Sequence, residues 1–238
     1  MTAKTVHPPR AWSLGGLTAL LTVGGLTLAQ GRVAAQSSVS GQGTAAVVNT
    51  PATGAQQFAT AVLPSGGGMA DSDLANVGVV NTLGADGLAA ITTGMIDTDV
   101  VSAQTSSEAA NVNILNGLIT AEQVVALASS YANAQAAASN AAGSSLLGLV
   151  VNGVNLGDVT PAPNTRISLP GAGYVVLNEQ VPTGDGVNSS GLTVNMIHVY
   201  LQSVIGGVVD LLTGQLVGGT LTTTGEIIVG SAASRAAR

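Results

Sequence analysis

Gly117-Leu-Ile-Thr-Ala-Glu-Gln-Val-Val-Ala-Leu-Ala-Ser-Ser130 supports two opposite readings. Taken with the residues up to Ala142 it is rich in Ala, Gln and Leu, and Val124, Leu127, Ala128 and Tyr131 fall at the spacing of one helix face. Gly94-Met-Ile-Asp-Thr-Asp-Val-Val-Ser-Ala-Gln-Thr-Ser-Ser107 aligns with it in register, matching Gly, Ile, Val, Ala, Ser and Ser and setting Asp99 against Glu122. That second copy carries Val, Thr and Ser with no helical stripe, so strand is the solution open to both. A helix over 121–142 stays as the alternative. A weaker third copy begins at Gly68-Met-Ala-Asp-Ser-Asp73. Recurrence of this kind predicts a stacked supersecondary unit. The expected fold is therefore all-β, a single domain of short strands with Gly and Asn turns, β-solenoid-like in its stacking, with a β-sandwich as the alternative.

Outward from this stretch the strand signals continue. Leu146 to Val154 is an apolar run closed by Asn152-Gly153, a tight hairpin signal. Pro161 and Pro163 mark a loop before Arg166 to Leu169, where Ile167 and Leu169 share a face, and Tyr174 to Leu177 reads as a strand covered on both sides. Thr183 to Asn188 turns the chain into a strand over Leu192 to Val199. Val204 to Val217 is apolar around Asp210 and reads as a short helix or an inserted hairpin, and Glu226 to Val229 is the last strand. Upstream, Ala45 to Leu63 holds one or two strands and Pro64 to Gly68 a turn. The expected organisation is a signal peptide at 1–35, a flexible segment at 36–44, one β-rich domain at 45–230 and a polar tail at 231–238.

The leader has the three parts of an export signal: Lys4 and Arg10, an apolar run from Leu14 to Ala29, and Val33-Ala34-Ala35 before the expected cut. Without it, Arg166, Arg235 and Arg238 stand against all twelve carboxylates, a net charge of −9 with no Lys. Such a surface is unfit for nucleic acid or anionic lipid, both of which need cations. Cysteine is absent, so apolar packing and backbone pairing must supply the stability. With 46% apolar and 8% charged residues the chain lacks the composition of a disordered one. Beyond the leader the aromatics are Phe58, Tyr131, Tyr174 and Tyr200, leaving a core of Val, Ile, Leu and Ala that suits thin layers.

Four segments occur in a distinctive order: Asn164-Thr-x-Ile-x-Leu-Pro-Gly171, Val175-Val-Leu-Asn-Glu-Gln180, Leu192-Thr-Val-Asn-Met-Ile-His-Val199 and Thr224-Gly-Glu-Ile-Ile-Val-Gly-Ser-Ala232. Together they resemble the choice-of-anchor P family of secreted bacterial surface proteins, and Gly117-Leu-Ile-Thr-Ala121 is similar to its N-terminal half. The resemblance implies an exported protein of the cell envelope or the medium and brings no catalytic residues. It also implies variable C-terminal attachment signals; here no Leu-Pro-x-Thr-Gly, apolar tail or basic stop follows Ser231, so no covalent anchor is expected.

Chemistry has few candidate residues. His198 is the one His beyond the leader, placed by alternation on the face of Leu192, Val194 and Met196, and no Gly-x-Ser-x-Gly elbow accompanies it. A structural His is the expectation, with no catalytic, cofactor or metal residue assigned. Asp71/Asp73 and Asp97/Asp99 each form an Asp-x-Asp step, whose carboxylates on a strand share one face and suit Ca²⁺, or else serve turns. Glu179 and Arg166 are expected to pair if their strands are neighbours. The expected function is non-enzymatic, structural or adhesive, with an envelope or extracellular partner. A secreted Ca²⁺- or polysaccharide-binding domain, even a hydrolytic one, is the alternative.

Overall fold

The structure is a computed structural model that describes residues 36–210, 212–213 and 215–238; the leader expected at 1–35 lies outside the described residues. Among the described residues all regular structure is strand. β1 (Ser38–Thr50) and β2 (Gly54–Val62) form a hairpin, followed by a meander of β3 (Gly68–Val79), β4 (Leu83–Ile96), β5 (Val100–Ile114) and β6 (Ile119–Asn133). β7 (Ala137–Asn140), β8 (Ser145–Val151) and β9 (Val154–Val159) come next. β10 (Thr165–Leu169), β11 (Gly173–Gly184), β12 (Ser189–Val209) and β13 (Leu216–Ala237) complete the chain.

These strands make two antiparallel sheets. Sheet A has the order β10-β11-β12-β13-β1-β2, and sheet B the order β3-β4-β5-β6-β8-β9 with β7 also on β6. β13 packs on β5 and β6, β1 on β4 and β5, and β12 on β6, so the sheets face each other in a sandwich-like pair of layers. Sheet B is one continuous segment of chain, whereas sheet A is assembled from both ends, with Ser38 paired to Ala237.

The ambiguous stretch is strand β6, and its interior explains why. Val124, Ala126, Ala128, Ser130 and Ala132 are buried at every second position, while Leu127 and Tyr131 turn to the other face and break up the apparent helical stripe. In β5 the buried set Val101, Ala103, Thr105, Ser107 and Ala109 has the same period of two. The aligned copies are neighbouring antiparallel strands, Val101 opposite Ala132 and Ala109 opposite Val124, and so run in opposite directions as a meander.

Two expected boundaries need correction. Ser38 to Thr44, expected to be flexible, belongs to β1, held between β2 and β13. Ser231 to Ala237, expected as a polar tail, is the end of β13; its small side chains fit between layers, where Ala232 and Ala236 are fully buried. Val204 to Val217, expected as a short helix or an inserted hairpin, is a hairpin of the two longest strands. Tyr174 to Leu177 is buried on one face only, through Val175 and Leu177.

The core has two halves. Large side chains such as Leu88, Ile114, Ile119, Leu146, Leu149, Leu177, Met196, Ile197 and Ile227 fill one. In the other, Val39, Leu63, Val101, Ala103, Ala132, Ala137 and Ala236 accompany hydroxyl pairs Thr92–Thr105 at 2.9 Å and Ser130–Ser234 at 2.7 Å. Hydrogen bonds between these buried hydroxyls offset the cost of removing them from water. The layers approach closely there, since a Cβ on Gly41 would stand 2.8 Å from the Thr105 hydroxyl.

A transverse crease crosses sheet A. Asn178 in β11, Gly230 in β13 and Ala59 in β2 have φ of 49°, 71° and 49°, and the ladder skips them together with Met196 in β12 and Ala45 in β1. Each skipped position is matched by one on the neighbouring strand, so the register is kept, and the left-handed residues bend the strands and upset their alternation. Met196 and Ile197 are consequently both fully buried, as are Ala45 and Ala46.

Candidate functional site

The crease decides which side chains meet on the outer face of sheet A. Because Met196 and Ile197 both turn inward, Asn195, His198 and Tyr200 turn outward. His198 therefore does not share the face of Leu192, Val194 and Met196, as plain alternation predicts; the crease shifts its parity. Glu179 in β11 pairs with Asn195 in β12, and Glu226 in β13 with Tyr200, which places a carboxylate on each side of β12.

The imidazole of His198 lies between those carboxylates. Its Nδ1 is 2.7 Å from Glu179 Oε2 and its Nε2 is 3.3 Å from Glu226 Oε2. Glu179 also accepts from Asn195 Nδ2 at 2.8 Å and from the Tyr200 hydroxyl at 2.7 Å. Asn195 Oδ1 accepts in turn from the Ser231 hydroxyl at 2.8 Å. Desolvation works against the charge of Glu179, but the hydrogen bonds from His198, Asn195 and Tyr200 and the attraction of the His outweigh it and hold the carboxyl below its ordinary range. Burial, and then the bond to Glu179, push the Tyr200 phenol well above its ordinary value, so it stays protonated and donates.

Aromatic stacking extends the cluster along the sheet. His198 stacks on Tyr200 with centroids 3.9 Å apart, Tyr200 on Tyr174 at 4.7 Å, and the Arg166 guanidinium lies 3.7 Å over the Tyr174 ring. The expected Glu179–Arg166 pair is thus absent although β10 and β11 are neighbours. Arg166 stands opposite Val176, and its side chain takes the Tyr174 ring while other donors take Glu179.

Chemically, this is a closed system. Both ring nitrogens of His198 face carboxylates, so among the described residues no hydroxyl nucleophile stands at the position that a Ser–His pair requires. The carboxylates lie at opposite edges of one ring and do not converge on a cation. An open cleft of about 410 Å³ reaches Glu226 beside Asn49, Thr50, Pro51 and Thr223 to Gly225, and His198, Glu179 and Tyr200 do not line it.

The Asp-x-Asp steps are placed apart. Asp71 and Asp73 lie exposed on β3, and Asp97 and Asp99 lie exposed around the β4–β5 turn. Asp97 Oδ1 accepts from the Thr98 amide, and the carbonyls of Thr98 and Asp99 accept from Arg238 at 2.6 and 2.7 Å. Among the described residues no group of three or more His, Cys, Asp or Glu side chains is arranged to hold a metal ion. Millimolar calcium is expected to leave the melting temperature unchanged; a saturable rise that Asp71→Asn or Asp97→Asn removes would overturn this.

The sequence reading missed Asn195, Tyr200, Tyr174 and Glu226. Tyr200 sits two residues from His198, the spacing of one strand face, and was the signal within reach.

No family model, curated protein or solved structure matches this chain. Among the described residues no helix is long and apolar enough to cross a membrane, which leaves strands unaddressed.

Proposed function

We propose that this chain is a non-enzymatic, exported or cell-envelope protein with a structural or adhesive role, exercised through a two-stranded apolar ribbon. One observation carries the reading. β12 and β13 run on past their neighbours in sheet A and display Ile205, Val208, Val217 and Leu221, each more than half exposed. Exposed apolar clusters of this kind mark interaction surfaces. The resemblance to choice-of-anchor P proteins and the export signal support placement outside the cytoplasm. The closed Glu179–His198–Glu226 cluster supports a scaffold role for the outer face of sheet A. Because the Asp-x-Asp steps lie apart, the calcium alternative loses its main motive.

The test is deletion of the ribbon with everything else kept. Gln202 and Thr223 are direct cross-strand partners, so an Asn-Gly turn joining them closes the shortened hairpin. Full-length chain expressed in a bacterial host is expected in the envelope or medium with its leader removed, and the shortened chain is expected to lose its attachment to cells while melting as before. Uncleaved protein in the cytoplasm, or attachment that survives the deletion, would refute the proposal.

A further inference from the structure

Resting on the reading above, we infer that the β12–β13 ribbon is a self-association surface whose partner is the same ribbon of a second copy of this chain. Backbone pairing is the first reason. β11 last pairs with β12 at Leu201, the Gln202 amide donates to the Ala172 carbonyl, and β1 last pairs with β13 at Glu226. Beyond those points, among the described residues, Ser203–Val209 and Leu216–Thr222 pair only with each other. A two-stranded ribbon by itself is marginal in water, and its outer edges present unpaired N–H and C=O groups to any further strand.

Side chains add shape. Ile205 is 57% exposed, Val208 67%, Val217 58% and Leu221 58%. Val204 pairs with Leu221 and Ile205 with Thr220, so Leu221 and Ile205 stand on opposite faces of the ribbon, and Gly206-Gly207 and Gly218-Gly219 leave a strip without side chains before Val208 and Val217. Gly206, Gly218 and Gly219 hold φ of 73°, 68° and 71° and bend the ribbon there, while its glycine-bearing, uncharged edges stay open to pairing between chains. The long edge strand β3 is the contrast within the molecule, because Asp71 and Asp73 guard it.

Charge identifies the partner. From Gln202 to Gly225 the one ionisable side chain is Asp210, in a chain with formal net charge −6. Two acidic copies repel over most of their surfaces, and the approach through neutral ribbons costs least. Meeting antiparallel about a two-fold axis, two identical ribbons pair one edge strand of each; the contact is isologous and gives a pair, with the other edge of each ribbon left to solvent.

Sedimentation velocity on the full-length expressed chain, as purified, tests this over a dilution series. The expected result is a reversible shift between one mass and twice that mass. Ile205→Glu with Leu221→Glu places like charges on both faces of the ribbon and is expected to weaken association by about 100-fold or more. Both sites are exposed, so the circular dichroism of this variant should match the parent. A parent that stays a single copy throughout, or a variant that associates as tightly, overturns the inference. So does a single-copy parent that floats with phosphatidylcholine vesicles, because lipid would then be the occupant. If association fails while ribbon-dependent attachment persists, the second copy alone is excluded. If association holds while attachment is indifferent to the ribbon, the functional reading falls and the inference stands.

Discussion

Gly230→Ala is expected to cost about 3–4 kcal/mol and to lower the melting temperature by roughly 10 °C. Gly230 sits in the crease of sheet A with φ of 71°, and a Cβ there would meet Val124 Cγ1 on the facing sheet at 2.7 Å. Met196 Cβ at 3.4 Å and Ala126 Cβ at 3.5 Å close off any lateral escape. Backbone strain alone does not account for the expected loss. Ala59 already holds φ of 49° in the same crease, so a methyl group in this conformation is tolerated where there is room. The left-handed conformation costs about 1–2 kcal/mol and the remainder is overpacking between layers. Gly54→Ala separates the two, because Gly54 has φ of 67° and no atom lies within 4 Å of the place its Cβ would take. That substitution should lose about 1 kcal/mol. Val124→Ala should recover part of the Gly230→Ala loss in the double variant. Equal melting of the Gly230→Ala and Gly54→Ala proteins would refute the steric account.

Glu179→Ala is the second large effect, expected at about 2–4 kcal/mol by chemical denaturation. The substitution strips the acceptor from His198, Asn195 and Tyr200 together, leaving partly buried donors with nothing to bind. Glu179→Gln keeps one acceptor oxygen but turns an amide NH₂ toward donors, and should fall between parent and Ala variant. The acid response has a definite sign. Glu179 is held below its ordinary value of 4.5, so its contribution is complete above that pH and is lost as pH falls through the lower folded value. The variants should therefore lose less stability than the parent on acidification below about 4.5. Asp185 keeps a share of the acid response in all of them, because the amides of Ser189, Val187 and Asn188 hold its carboxyl well below the ordinary range. Identical acid profiles for parent and Glu179→Gln would show that the cluster does not contribute.

Much of the β architecture was legible because strands bury alternate residues. The matched copies at Gly94 and Gly117 identified β5 and β6 as strands against the helical look of the Ala-rich segment. Asn152-Gly153 located the β8–β9 turn, with φ of 51° and 75°. Stacked coils and facing sheets were not separable on that basis, since both repeat strand and turn at similar spacing. The crease was invisible for a related reason: Asn178 and Ala59 are ordinary residue types whose φ is set by neighbouring strands. Everything downstream of the crease was misplaced with it, above all the face of His198 and the partner of Glu179. Expecting Arg166 there rested on opposite charge, whereas three neutral or imidazole donors already surrounded the carboxylate. Ser231 to Ala237 looked like a tail because small polar residues resemble a linker until a close-packed layer faces them.

The pairing of β1 with β13 also sets an order of events. Sheet B runs from β3 to β9 without interruption and can form from its own hairpins. In sheet A, β1 can pair locally with β2, but its other edge stays open until the far end of the chain arrives. Joining two strands so distant in sequence carries a large loop-closure cost, which falls once sheet B has already drawn the ends together. Sheet B is expected to form first and to serve as the template on which sheet A closes. Completion of the molecule is timed by its last strand, and a chain released before β13 has emerged would expose the β1 edge at the centre of its unfinished sheet.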